Sequence, residues 1–140
     1  RKLYTLIGWD GNDKFSQKKV IEVLSFGGSD MVKLGAPIFK TEKGKTLKRI
    51  VFEYATEFNM TCRYNKKNET IVFDHLAPQL GTLEGHPETY GPDLSFDCFA
   101  LRRGRWSFVS NIAPENRPNR KQQRQHVMPE GQPDVNAPAE

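Results

Sequence analysis

Aromatic residues are missing from one end of this 140-residue chain. None of its nine Phe, four Tyr and two Trp lies in residues 113–140, where five of the nine prolines fall. A segment of that composition buries too little apolar surface to offset the entropy of ordering its backbone. It is predicted to be an irregular, Pro-rich tail that gains order only against something outside the domain. Cysteine is scarce too. Cys62 and Cys98 are the only two, so there is no disulfide framework; two separate buried thiols are the first reading, and one bridge in an exported protein the second. Apolar runs such as Ile50-Val51-Phe52 fall far short of the roughly 20 residues a membrane-spanning helix needs.

A strong charge of one sign is also lacking. The net charge is +4, and it belongs to residues 1–112. In the tail Arg117, Arg120, Lys121 and Arg124 are balanced by Glu115, Glu130, Asp134 and Glu140. A tail this short and mixed is not a nucleic-acid-binding arm, so no nucleic-acid partner is expected. Its basic cluster, interleaved with Pro114, Pro118 and Pro129, is the candidate partner-binding segment. Polyproline-like chain of this kind fits a groove better than it extends a sheet, because proline interrupts pairing.

What is present is alternation. Period-two patterns recur in short runs bounded by turn residues. They predict strands over 3–9, 18–26, 36–40, 48–55, 60–64, 71–76, 95–101 and 105–109. Asp10-Gly11-Asn12-Asp13, Gly27-Gly28-Ser29, Lys43-Gly44-Lys45 and Asn65-Lys66-Lys67-Asn68 are the turns, and Arg102-Arg103-Gly104 reads as a tight hairpin. Val20, Leu24 and Phe26 share a face, as do Ile50, Phe52 and Tyr54. Only residues 13–20 and 55–59 could hold a helical turn. The expected fold is all-β, an antiparallel meander of sandwich or barrel type over residues 1–112, followed by the irregular tail 113–140. The segments around Ile50-Val51-Phe52 and Ile71-Val72-Phe73 are alike, which two copies cannot raise to a repeat architecture.

Chemistry-bearing residues are few. Asp10, Asn12 and Asp13 fail as a calcium loop, since the sixth and twelfth positions are Phe15 and Ile21. His75 and His86, with Asp74, Glu84 and Glu88, match no zinc spacing, so neither metal nor other cofactor is expected. Asp93 and Asp97 sit about 13 Å apart along an extended strand, too far for joint acid–base work. No nucleophile-elbow pattern occurs. Trp9, Tyr90 and Trp106 are the aromatic candidates for a ligand-binding face, although Trp106, beside Arg102, Arg103 and Arg105, reads more readily as a core cover.

Tyr4-Thr5-Leu6-Ile7-Gly8-Trp9-Asp10-Gly11-Asn12, Lys18-Lys19-Val20-Ile21-Glu22-Val23-Leu24, Gly35-Ala36-Pro37-Ile38-Phe39 and Arg49-Ile50-Val51-Phe52-Glu53-Tyr54 form a series. Ile71-Val72-Phe73-Asp74-His75-Leu76, Tyr90-Gly91-Pro92-Asp93 and Gly104-Arg105-Trp106 continue it. The series resembles the C-terminal β-rich domain of an uncharacterised family of exported proteins from Bacteroidetes-type bacteria, over residues 3–112. The resemblance implies a cell-envelope location, periplasmic or outer-membrane associated, and a precursor that continues before Arg1; membrane association would be indirect or through that preceding part. It implies no catalytic residue. The expected function is a non-enzymatic accessory subunit of an envelope protein assembly, acting on a protein partner. A glycan or small-ligand binding module through Trp9, Tyr90 or Trp106 is the alternative. A hydrolase, which would have to gather Asp74, His75 and Asp93 in one cleft, ranks below both.

Overall fold

The computed structural model describes residues 1–113. They form ten strands: β1 (Leu3–Asp10), β2 (Ser16–Phe26), β3 (Val32–Leu34), β4 (Phe39–Lys40), β5 (Thr46–Leu47), β6 (Ile50–Ala55), β7 (Cys62–Asn65), β8 (Thr70–Pro78), β9 (Tyr90–Arg102) and β10 (Arg105–Val109). Two short 3-10 turns, Gly81–Leu83 and Pro87–Thr89, sit between β8 and β9. The all-β expectation holds, and the strands make two sheets packed as a sandwich.

The first sheet is organised by β2. One edge of β2 pairs antiparallel with all of β1, from Leu3↔Ser25 to Asp10↔Lys18. Its other edge is shared: Ser16 to Ile21 pair with β6 and Leu24 to Phe26 with β3. The second sheet runs β5-β4-β10-β9-β8-β7. Strands β7 to β10 follow one another as a meander, closed by the β9–β10 hairpin whose central Arg103 and Gly104 both take positive φ (50° and 74°). That is the turn geometry whose twist matches paired strands. The β4–β10 pairing is parallel, Trp106↔Phe39 and Ser107↔Lys40. This follows from a chain that leaves the first sheet after β3, adds the β4–β5 hairpin to the second, and returns to the first at β6.

Residues 13–20 hold no helical turn; from Ser16 onward they are strand. Asp13 accepts the Phe15 and Ser16 backbone N–H groups (2.7 and 2.9 Å), and Asp10 accepts that of Asn12 (2.8 Å). The turn therefore closes in three residues, and the Ser16 hydroxyl, buried, donates to Glu53 on β6 (2.7 Å).

The core lies between the sheets. Ile21, Val23, Ile50 and Tyr54 come from the first, and Phe39, Ile71, Phe73, Phe99 and Trp106 from the second. Phe73 stands at the crossing point, with ring centroids 4.6 Å from Phe52, 5.5 Å from Phe99 and 6.3 Å from Phe108. Phe52 and Phe73 are the matching positions of the two similar sequence segments. The likeness thus marks two strands that present the same face to each other across the sandwich. Gly91 on β9 is required by a close approach: a Cβ there would lie 2.7 Å from the Phe58 ring and 2.8 Å from the Gln79 amide.

Two stability effects follow. Phe73→Ala should cost about 3–5 kcal/mol through lost burial and the cavity left behind. Gly91→Ala should cost about 1–3 kcal/mol by overpacking. Both are read as lower urea midpoints at unchanged m value. A Gly91→Ala midpoint equal to that of the parent would mean the Phe58 ring swings aside freely.

Candidate functional site

The residues singled out in the sequence are dispersed. Trp106 is a core residue, 4% exposed, whose indole N–H donates to Thr5 Oγ1 on β1 (3.1 Å). It is therefore not available to a ligand-binding face, and its alternation with exposed arginines explains why. Trp9 is 62% exposed, lies over Gly11 and donates to Gln17 Oε1 (2.8 Å). Tyr90 is half-buried, and its hydroxyl accepts the Gly85 N–H (3.0 Å). No ring contact joins any two of the three among the described residues, so they do not build one aromatic platform. Pro114, Arg117, Pro118, Arg120, Lys121, Arg124 and Pro129 lie outside the described residues.

The cysteines are free thiols. Cys62 pairs with Phe73, on the core face of the second sheet, whereas Cys98 pairs with Val72 and so points to the other face. Strand β8 lies between them, which places the two backbones about 10 Å apart, beyond bridging distance. The disulfide reading is thereby corrected. Burial pushes the Cys62 thiol up to about 11, offset only slightly by Lys19, and raises Cys98 as well.

The carboxylates and histidines singled out form four separate arrangements. Asp74 is buried and accepts both the backbone N–H and the hydroxyl of Thr61 (2.6 and 2.8 Å), which fastens the entry to β7. Asp93 accepts the Ser95 N–H and hydroxyl (2.9 and 2.6 Å) in a bulge of β9, where Asp93, Leu94 and Ser95 stand opposite His75 alone. Leu94 takes φ of 71° there. That bulge turns His75 toward Asp97, Nδ1 to Oδ2 at 2.6 Å, and the other Asp97 oxygen accepts the Asn111 N–H (2.9 Å). The trio Asp74, His75 and Asp93 is not gathered, and no hydroxyl or thiol is hydrogen-bonded to His75 among the described residues. His86 reaches only Glu88 (3.2 Å), and no cluster of three or more His, Cys, Asp or Glu side chains is placed to hold a metal among the described residues. The pairing of His75 with Asp97 was readable only as a rule: a carboxylate inside an apolar strand needs a partner.

A shallow depression of about 430 Å³ is lined by Lys14, Phe15, Ala55, Thr56, Glu57 and Glu88. None of the three singled-out aromatic residues borders it.

The feature that brings side chains together is the outer face of the first sheet. Directly opposite residues project to the same side, so Tyr4↔Leu24, Leu24↔Leu34 and Phe26↔Val32 form an apolar group at one end of this face, with Val20↔Val51 beyond the Glu22–Arg49 ion pair. Phe26, Val32 and Leu34 are 53%, 59% and 59% exposed. Tyr4 and Phe26 meet edge to face at 5.9 Å, and the Lys2 ammonium lies 5.1 Å from the Tyr4 ring centre. Charges on this face cancel: Lys2, Lys18 and Arg49 against Asp10, Glu22 and Glu53, with Arg49 and Glu22 joined at 2.9 Å. The sequence had grouped Val20, Leu24 and Phe26 correctly; the structure shows that theirs is the outward face and that Ile21 and Val23 are the inward one.

No protein-family model, no curated protein and no solved structure matches the chain. Among the described residues no helix is long and apolar enough to cross a membrane.

The His75–Asp97 contact makes a pH prediction. Its hydrogen bond to Asp97 raises the His75 pKa most, burial opposes that, and the charges of Asp97, Asp93 and Glu42 add to the rise. A folded pKa above the unfolded value stabilises fully below about pH 6.5, and the contribution is lost as pH climbs through the folded pKa. Relative to His75→Gln, the parent should lose stability as pH rises from about 6.5 through the raised folded pKa, and an NMR titration should place His75 above its unfolded value. Superimposable stability profiles would remove the pair as an ionic contact.

Proposed function

We propose that this chain is a non-enzymatic protein-contact module that docks through the apolar outer face of its first sheet. The observation that carries the reading is that face: exposed, aliphatic and aromatic, electrically balanced, and mounted on regularly paired strands. Grouped as Tyr4, Phe26, Val32 and Leu34 are, exposed large apolar side chains mark an interaction site more often than singly scattered ones do. Its partner is a flat, apolar, near-neutral protein surface, because a balanced face offers nothing to a polyanion such as nucleic acid. Rigid strands suit this role, since little conformational entropy is lost on docking.

The setting we propose, an accessory subunit of a bacterial cell-envelope assembly, rests on the sequence resemblance alone. Residues 113–140 would supply a second, groove-filling contact. A small-ligand module has weaker support, because the aromatic candidates are scattered. A hydrolase has weaker support still, because Asp74, His75 and Asp93 each serve a different local contact.

The test is native purification of the tagged chain from envelope fractions with quantitative mass spectrometry. The parent is compared with Phe26→Ser/Leu34→Ser, with a chain ending at residue 113, and with Arg103→Ser on the distant hairpin as control. A partner retained by the parent and the control should fall about tenfold or more with the face pair, as loss of well-buried anchors requires. Equal recovery with the face pair would remove this surface as the docking site. Absence of the parent from envelope fractions would remove the setting.

A further inference from the structure

The second unpaired feature of the first sheet is an edge. Among the described residues, strand β1 pairs with β2 along one side only. From Leu3 to Trp9 it carries no charge, no proline and no bulge in its register. Natural edge strands of this length are normally blunted by one of those devices, because a bare row of N–H and C=O groups recruits another strand. Both faces of β1 are apolar: Tyr4 and Leu6 outward, Leu3, Ile7 and Trp9 on the side of the second sheet, all of them exposed.

We infer that β1 pairs antiparallel with β1 of a second copy of this chain, joining the two first sheets into one continuous sheet about a two-fold axis. The symmetry and the pleat limit the register. An axis normal to the sheet keeps outer faces on the same side, so opposed residues must have the same parity; a slip by one residue is excluded. Centring on Leu6 sets Leu6 against Leu6, Thr5 against Ile7, Tyr4 against Gly8, Leu3 against Trp9 and Lys2 against Asp10. Every apolar side chain then meets an apolar or small one, Tyr4 covers the bare backbone at Gly8, and the Lys2–Asp10 pair of opposite charges closes each end. Shifting the centre by one residue one way, to Thr5, sets Lys2 against Gly8 and Arg1 against Trp9, so neither of these cations faces Asp10. Moving it the other way, to Ile7, sets the Asp10 carboxylate against Tyr4. The self-complementarity of the central register, charge included, is what selects a second copy as the occupant.

The pairing does not depend on the docking face proposed above, but it bears on it. With the axis normal to the sheet, the Tyr4, Leu24, Phe26 and Leu34 surfaces of both copies lie on one side and form a platform of twice the area.

The experiment is sedimentation equilibrium of the full chain with mild oxidative cross-linking. The parent should be a concentration-dependent dimer. Leu6→Lys, which sets two ammonium groups face to face on the axis at an already exposed position, should shift it to monomer by about tenfold or more in dissociation constant; circular dichroism reports whether it is folded. Leu6→Cys should give a cross-linked dimer, since directly opposed Cβ atoms lie about 4.5–5.5 Å apart. The parent, whose thiols are Cys62 and Cys98, should not cross-link, and Tyr4→Cys should cross-link poorly. A parent that stays monomeric across the concentration range overturns the inference. So does a dimer in which Leu6→Cys cross-links no better than Tyr4→Cys. Because partner capture is not the readout, failure here leaves the docking face to its own test.

Discussion

Everything in this sandwich hangs from β2. Among the described residues it is the one strand of the first sheet with partners on both edges: β1 along residues 18–25 on one side, β6 (16–21) and then β3 (24–26) on the other. Strand pairing in an antiparallel sheet is only as well defined as the register of its central member. Here the register is set at one end by the Asp10–Asp13 turn, which delivers the buried Ser16 to Glu53, and at the other by Ser25, which accepts the Arg1 guanidinium. Between those ends Ile21 and Val23 point into the core. The change of partner at Glu22 is bridged by Arg49, and by Gly35, whose N–H reaches the Val23 carbonyl (2.8 Å). Gly35 takes φ of +81°, and a Cβ there would lie 3.4 Å from Lys48 Cβ, a position where a side chain would be strained. That residue is where the chain leaves the first sheet for the second.

The second sheet answers this arrangement with aromatic residues. Phe39, Phe73, Phe99 and Phe108 interlock by tilted and edge-to-face contacts, and Phe52 reaches them from β6. Trp106 does two things at once. Its backbone joins the parallel pairing to β4, and its indole N–H holds Thr5, tying β1 to the opposite sheet. Buried indole requires such a partner, which is why a tryptophan flanked by arginines belongs to the core and not to a binding surface.

Much of the fold was legible in the sequence because half-buried strands write their alternation directly. The strands over 3–9, 48–55 and 105–109, the tight Arg103-Gly104 hairpin and the shared face of Ile50, Phe52 and Tyr54 all follow from it. Three things were not legible, each for a physical reason. The strands Val32–Leu34 and Thr46–Leu47 are too short to carry a period. The parallel β4–β10 contact is a long-range pairing with no local signature. The β9 bulge that turns His75 to Asp97 is invisible because it depends on register against β8. Residues 13–20 looked open to helix because Lys18 and Lys19 obscure the alternation; pairing with β1 and β6 overrides that weak preference. The separation of Cys62 from Cys98 was likewise decided by parity and by the strand between them.

The decisive ambiguity lay in β2 itself. Val20-Ile21-Glu22-Val23-Leu24-Ser25-Phe26 is apolar on both faces, as is Leu3-Tyr4-Thr5-Leu6-Ile7-Gly8-Trp9 beside it. Strands that read this way are usually covered on both sides, whereas a sheet with one solvated face alternates cleanly between apolar and polar. In the described structure only the Ile21–Val23 side of β2 is covered; the Val20, Leu24 and Phe26 side faces outward with Tyr4, Leu6, Val32 and Leu34. The sequence is thus apolar on both faces of these strands, and the described residues supply cover for one. An unmatched apolar face beside an unguarded edge costs solubility on a protein that stays alone. Both features lie on the first sheet, and each fits contact with another protein chain.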